Sequence, residues 1–419
     1  MIQLELKAYR RCSDRHVLVL ETNLTYVEKC QIFHYADLIR KAGNELTGIM
    51  KKRYDQLVRT KRYRKLKKLY KKYEDADNKK ALKDVCDQMK EMQKQYDVTW
   101  DYCRTSMIPI KKKYGIDAVF ALTKAEDVFR GIEKCLYSDG ETVHFKKRGD
   151  LPCIRAKQIN RGIIMKQMNF KFKNMEFGAR IKDRYEQEEV DAILYYLKNA
   201  EFMDSIAANT YKETNICIST YRPCYVSLVC KKIRGKLRVY VHITIEGVSK
   251  PKQDRFGNFK HNKGKGIVGC DIGTQTIAYT TETKAGLKNL AERGSSIEVN
   301  ERKERRIYRA MDRSRRAMNP DNYNEDGTIK KGKKKWTYSN RYKKLRTKHT
   351  ELCRINATNR HLAINEDVNE LRSLGDVFVT EPKNAKKLQK KAKTGKRKKR
   401  FGRSIKNRCP GYFQSQAKR

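Results

Sequence analysis

Two acidic residues follow short apolar runs in the last third of the chain. Asp271 follows the run 267–270 in GIVGCDIGTQTIAYTT, and Glu381 follows the run 377–379 in VFVTEP, about 110 residues later. Apolar runs of this length predict buried strands, so each acid stands where a strand ends. Two carboxylates at neighbouring strand ends can share hard divalent cations and direct phosphodiester hydrolysis. The pattern favours a metal-dependent nuclease site in which Asp271 and Glu381 are catalytic residues and ligands of two hard divalent cations.

Each acid also has a simpler interpretation. A strand followed by D-x-G is common in α/β proteins, where the acid caps a turn. A glutamate after a strand is usually a solvated end residue. The nuclease hypothesis therefore depends on what else the chain contains.

The charge of the chain indicates a polyanionic partner. Ninety-seven Lys and Arg residues against 49 Asp and Glu residues give a net charge of +48. This much like charge repels itself unless a polyanion neutralises it, which favours nucleic acid. No apolar run is long enough to span a bilayer, and MIQLELKAYRR has no apolar signal core. We expect a soluble cytoplasmic protein without a membrane partner.

The twelve cysteines are scattered, and no pair has the C-x-x-C spacing of a zinc ribbon or redox site. Free thiols in a reducing compartment, with no zinc site, are the expected state.

Hydrophobic periodicity divides the chain into four segments. Residues 1–25 predict strands, first at the alternating Ile2, Leu4 and Leu6 and then at 16–20. Segment 26–138 has helical spacing, and 139–262 returns to strands, including a hairpin that turns at Arg234 and Gly235. We predict one β-barrel-like domain, split by an inserted helical domain and followed by an α/β domain over 263–419.

The segment KRYRKLKKLYKKY, residues 61–73, interleaves Tyr63, Tyr70 and Tyr73 with cations. A solvated helix face is the simpler interpretation. Aromatic rings among cations can also stack on unpaired bases and neutralise phosphates, so these tyrosines are candidate nucleic-acid contacts.

The connection between the two acids is also basic, and it contains a predicted helix from about residue 338 to 371. Its apolar side is marked by Ile355, Leu362, Val368 and Leu371. After Glu381, residues 383–408 contain no acid, so this run should become ordered only against phosphate. Its candidate nucleic-acid contacts are Lys386, Lys387, Arg397, Lys398, Lys399, Arg400 and Arg403.

In this order, the motifs resemble the TnpB family of transposon-encoded RNA-guided DNA nucleases, relatives of the compact type V CRISPR effectors. GIVGCDIGTQTIAYTT and VFVTEPKNAKKL look like the first two RuvC motifs, with Asp271 and Glu381 as their acids, and PGYFQSQAKR resembles the aromatic segment that follows. RRAMNPDNYN and the helix after it are similar to the family's basic bridging helices. The resemblance implies a split β "wedge" domain, a helical recognition insert and a ribonuclease-H-like (RuvC) domain. Its implied partners are a guide RNA and target DNA, and its cofactor is Mg²⁺.

The sequence departs from the family pattern after this point. Family members continue into a zinc ribbon with paired C-x-x-C motifs and a third motif with the last catalytic Asp, and this sequence ends at Arg419 with neither. The resemblance then implies an incomplete catalytic site. A cleavage-deficient RNA-guided DNA-binding protein, repressor-like in action, is the alternative to an endonuclease. DIGTQT also resembles the phosphate loop of sugar and acetate kinases. However, no second glycine-rich loop follows, and a net charge of +48 has no purpose in a kinase of small molecules.

Overall fold

The fold is that of a computed structural model, and it divides into two compact units, Met1–Lys250 and Pro251–Arg419. The residues described are 15–138, 142–199, 222–246, 258–261, 264–290, 295–381 and 402–417, together with Gly140, Phe256 and Glu292.

Six helices and seven strands are described in the first unit. The helices are α1 (Tyr26–Arg59), α2 (Lys61–Asp75), α3 (Lys79–Gln95), α4 (Trp100–Tyr114), α5 (Ala118–Tyr137) and α6 (Arg184–Lys198). The strands are β1 (Arg15–Thr22), β2 (Ile154–Arg155), β3 (Ile163–Lys166), β4 (Asn169–Phe172), β5 (Met175–Arg180), β6 (Arg222–Ile233) and β7 (Lys236–Glu246).

The seven strands form one nearly closed, barrel-like antiparallel sheet in the order β2-β6-β7-β1-β5-β4-β3. β1 lies between β7 and β5, although helices α1 to α5 follow it in the chain. The helices are therefore inserted between two parts of one sheet, as the periodicity predicts. The predicted alternation at Ile2, Leu4 and Leu6 lies outside the described residues.

The hairpin of β6 and β7 confirms the period-two prediction. Arg234 and Gly235 connect the strands with φ values of 50° and 77°. Two residues with positive φ make a type I′ turn, whose twist matches that of paired strands. Val239, Val241 and Ile243 then face the core.

The helices and the sheet share one hydrophobic core. Thr25 and Glu28 form a capping box at the start of α1, which then buries Ile32 and Tyr35. The ring of Tyr35 meets the edges of Phe120 from α5 and Phe172 from β4, with ring centres 5.9 and 5.5 Å away. The inserted helices therefore pack directly on the sheet.

Helix α6 was not predicted, because it interrupts a segment with strand periodicity. Asp183 caps it, accepting a hydrogen bond from the Glu186 backbone N–H at 2.9 Å. The apolar side of the helix is buried at Val190 and Ile193.

In the second unit the described strands are β8 (Ile267–Ile272), β9 (Thr276–Thr280), β10 (Ala285–Asn289) and β11 (Val377–Thr380). The described helices are α7 (Ser295–Met318), a 3₁₀ turn (Pro320–Asn322), α8 (Asn340–Arg372), α9 (Gly402–Arg408) and α10 (Pro410–Ala417). The sheet order is β10-β9-β8-β11, with β8 antiparallel to β9 and parallel to β11.

Helix α8 covers one face of this sheet. Val368 and Leu371 are buried there, as predicted, together with Ile364. Leu362 is 54% exposed, so its assignment to the apolar side was wrong. None of the helices in the described ranges is long and apolar enough to cross a membrane.

The structure corrects the assignment of Tyr63 as a nucleic-acid contact. Its side chain is fully buried in the core of the first unit, so the ring cannot stack on a base in this fold. Tyr70 and Tyr73 are partly buried against the same core, and Tyr70 packs on Tyr137 with 5.9 Å between ring centres. A contact to nucleic acid at Tyr70 and Tyr73 stays a prediction.

Truncating Tyr63 should destabilise the first unit. Because the ring fills buried volume, we expect Tyr63→Ala to lower the free energy of unfolding by about 3–5 kcal/mol, while Tyr63→Phe keeps the ring and changes it little. Urea unfolding in a Trp336→Phe background, where Trp100 is the remaining tryptophan, measures the first unit. Equal stability of the alanine and phenylalanine variants would contradict the burial.

His242 on β7 should make the first unit acid-sensitive. Burial and nearby Lys231 lower the pKa of His242 below its ordinary value. The unfolded chain then binds more protons, so stability is full above about pH 6.5 and declines as the pH falls toward the folded pKa. His242→Gln should flatten this decline between pH 7.5 and 5.5 in the same urea assay, whereas His144→Gln, at an exposed position, should not. An unchanged decline in His242→Gln refutes the assignment.

Candidate metal and nucleic-acid site

The two acids predicted from the sequence lie on neighbouring parallel strands. The register of β8 and β11 pairs Val377 with Ile267 and Thr380 with Cys270. One further residue along this register brings Glu381 level with Asp271. Because neighbouring strands lie about 4.8 Å apart, the two backbones are close enough for both carboxylates to reach one pair of ions.

Both acids project from the same, exposed face of the sheet. Val268 and Cys270 are buried on one face of β8, so Asp271 points to the other, where it is exposed. On β11, Phe378 packs on the core, whereas Val379 is 56% exposed. Glu381 continues the exposed side of this alternation and is itself exposed.

The parallel register is held at the start of both strands. The Gly266 N–H donates to the Asp376 carboxylate at 3.0 Å. The Gly266 carbonyl accepts from the backbone N–H groups of Asp376 and Val377, both at 3.1 Å. The backbones approach so closely that a Cβ on Gly375 would lie 2.6 Å from the Gly266 carbonyl oxygen. The position of each acid is therefore set several residues before it.

Helix α10 supports the end of β11. The Gln414 side-chain amide donates to the Glu381 carbonyl at 3.0 Å, and Phe413 is fully buried in the core of this unit. Tyr412 stacks on His361 of α8, with ring centres 4.2 Å apart, and donates to Asn365 at 3.3 Å. The aromatic segment quoted for the family resemblance therefore packs on α8 and stabilises the strand end beside Glu381.

Exposed carboxylate oxygens are donors that suit Mg²⁺, which takes hard oxygen ligands and keeps several waters. Among the residues described, however, no third Asp, Glu, His or Cys joins Asp271 and Glu381 in a three-ligand group. The catalytic and metal-binding roles of the two acids stay predictions.

A basic surface lies on the connection between these strands. The exposed cations of α7 are Arg302, Lys303, Arg305, Arg306, Arg309, Arg313 and Arg316, and α8 exposes Arg341, Lys343, Lys344, Arg346 and Lys348 near its start. Cations spaced along two helices can neutralise successive phosphates. These helices are a candidate nucleic-acid surface, and that role stays a prediction.

An arginine–aromatic cluster orders the loop between α7 and α8. The Arg315 guanidinium lies 5.2 Å from the Trp336 ring centre, and Arg316 lies 5.2 Å from that of Tyr323. Asn319 donates to the Thr337 carbonyl at 2.8 Å and accepts from the Thr337 N–H at 2.7 Å. These contacts tie both ends of the loop together.

Most of the predicted basic contacts after Glu381 lie outside the described residues: Lys386, Lys387, Arg397, Lys398, Lys399 and Arg400. Arg403 lies in α9. Their binding role stays a prediction.

One cluster of possible metal ligands was missed by the sequence reasoning. Glu304 of α7 lies against His349 and Cys353 of α8, with all three ligand atoms within 4.8 Å of one another. The cysteine pattern expected for a metal site was a C-x-x-C pair, whereas the local signal here is a His and a Cys four residues apart on one helix, with Glu304 far away in sequence.

No protein-family model matches the chain, and no curated protein is significantly similar to it. The likeness to the TnpB family therefore rests on the motifs alone.

Gly375 should be intolerant of a side chain, because its Cβ would also lie 2.8 Å from Val268 Cγ2. We expect Gly375→Ala to push β11 from β8 and lower the free energy of unfolding of the second unit by about 1–3 kcal/mol. Urea unfolding in a Trp100→Phe background, where Trp336 is the remaining tryptophan, measures it. Gly131→Ala in α5, where an added Cβ meets nothing within 4 Å, is the control and should leave this transition unchanged. An unaltered transition in Gly375→Ala would contradict the close approach.

Proposed function

We propose that the chain is an RNA-guided DNA endonuclease of transposon origin, with a ribonuclease-H-like (RuvC) domain in its second unit. The observation that carries the proposal is the parallel pairing of β8 with β11, which supports placing Asp271 and Glu381 side by side on one exposed face. This is the arrangement that the family resemblance implies. The sheet order and the basic helices between the acids agree with it.

The residues suit hydrolysis of a DNA phosphodiester. Mg²⁺, when bound, would supply Lewis acidity and orient the attacking water and the leaving oxygen in line. Asp271 would hold both ions, and Glu381 would complete the ligand shell of one. The exposed face leaves room for a nucleic-acid strand, and the cations of α7 and α8 would bind its phosphates.

Guide RNA would supply sequence specificity by base pairing, since a protein that holds a heteroduplex reads its shape and backbone. The net charge of +48 supports a large polyanionic partner such as RNA. Guide RNA and target DNA are therefore the proposed partners, and a cytoplasmic site of action is part of the same proposal.

A second candidate is an RNA-guided DNA-binding protein that does not cut. It is favoured by the lack of a third ligand beside Asp271 and Glu381 in the described part of the chain. Two carboxylates leave much of the ligand shell of two ions to water, so Mg²⁺ would bind weakly.

Cleavage of DNA by the RNA-bound protein separates the two candidates. The endonuclease candidate predicts Mg²⁺-dependent cutting that falls about 100-fold or more in Asp271→Ala and in Glu381→Ala, because ligands of the metal pair stabilise transition-state charge by several kcal/mol. Glu282→Ala, the same charge change at an exposed residue after β9, is the matched control and should cut normally.

RNA-dependent DNA binding without cleavage, unaffected by either substitution, would identify the second candidate. Cleavage that survives both substitutions would refute the assigned site. Protein that carries no RNA, judged from its absorbance at 260 and 280 nm, and binds none when RNA is added would refute both candidates.

A further inference from the structure

A second group of possible ligands lies between α7 and α8. Glu304 Oε1 lies 3.5 Å from His349 Nε2 and 3.7 Å from Cys353 Sγ. Cys353 Sγ lies 3.8 Å from His349 Nε2 and 3.9 Å from Nδ1. One side chain comes from α7 and two come from adjacent turns of α8, so a bound ion would link the two helices.

These separations match the edges of a metal tetrahedron. Zinc binds sulfur at about 2.3 Å and nitrogen or oxygen at about 2.0–2.1 Å, which sets S···N and S···O edges near 3.5 Å and an N···O edge near 3.4 Å. Each of the three separations to Nε2 or Oε1 exceeds its ideal edge by about 0.3 Å or less. Because Sγ is almost equidistant from both ring nitrogens, the imidazole must turn so that Nε2 is directed at the ion.

We propose that Glu304, His349 and Cys353 form a binding site for a transition-metal ion of the zinc type, with water as the fourth ligand. Thiolate and imidazole select such ions and suit Mg²⁺ poorly, so this site is distinct from Asp271 and Glu381. It belongs to a different class from the cysteine-pair ribbon that the family resemblance implies. The side chains of Glu304 and His349 are 21% and 24% exposed, which leaves the fourth position open to water.

Metal binding at this cluster must displace the proton of the Cys353 thiol. Burial and the adjacent Glu304 carboxylate raise the pKa of Cys353, while Lys406 and Arg360 act in the opposite direction. The thiol is therefore protonated without metal, and binding forms the sulfur–metal bond and releases one proton to solvent. A divalent ion would also relieve the repulsion between the carboxylate and the forming thiolate.

The inference goes beyond the proposed nuclease function, since the site would fasten two helices of the connection between the acid-bearing strands. Its role is structural: an ion held by both helices fixes α7 against α8, and with it the basic surface that both helices carry. A chain that never cuts DNA could still bind this ion, so the two proposals fail independently.

Cobalt substitution of the full-length protein tests the site. Stripped of metal and nucleic acid, the chain should bind one Co²⁺ with a thiolate-to-cobalt charge-transfer band in the near ultraviolet and intense visible bands typical of tetrahedral geometry, and Zn²⁺ should abolish both. Cys353→Ser should remove the charge-transfer band. His349→Gln and Glu304→Gln should each weaken Co²⁺ binding about tenfold or more. Circular dichroism confirms that each variant is folded.

Two matched controls are available in the same unit. Cys409→Ser removes a half-buried thiol at the junction of α9 and α10, and His361→Gln removes another imidazole of α8. Both should bind Co²⁺ like the unaltered protein. A charge-transfer band that persists in Cys353→Ser, or no band in the unaltered protein, overturns the proposal. Cysteine dependence without loss on changing His349 and Glu304 also overturns it, because it shows adventitious thiol binding.

Discussion

The parallel pairing of β8 with β11 brings together two segments about 110 residues apart in the chain. Parallel strands cannot be joined by a tight turn, so a long crossover is obligatory. Here α7 and α8 fill part of that crossover, and α8 returns the chain to the sheet by burying Val368 and Leu371 against it. The geometry of the acid pair therefore depends on α8, a helix that also carries exposed cations.

The tightness of the strand start explains why the acids can be exposed and still be positioned. Asp376 and the backbone of Gly266 set the register through hydrogen bonds before either strand reaches its acid. The backbone positions of Asp271 and Glu381 are therefore set by contacts that precede each acid in its strand.

Hydrophobic periodicity predicted the elements whose formation depends on the local spacing of residues. The β6–β7 hairpin, the inserted helices and the strands before both acids follow from apolar spacing and turn residues. Tyr63 was misassigned because its cationic neighbours suggested a surface, although its spacing of three residues from buried Leu66 marks one helix face. The His349–Cys353 pair had a local signal, but its partner Glu304 could not be predicted, because it meets them only when two helices pack.

The same packing gives three acids of α7 local partners. Glu301 accepts from the Asn407 amide at 2.8 Å, Glu304 lies against the His–Cys pair, and Asp312 accepts from Arg315 and Arg316. One exposed cation of the helix, Arg316, is therefore already paired with an acid. Because these three carboxylates have local partners, phosphates bound at the other exposed cations would not compete for a partner that the fold requires. An ion at Glu304 would neutralise one further carboxylate of α7 and so strengthen the attraction of the helix for phosphate.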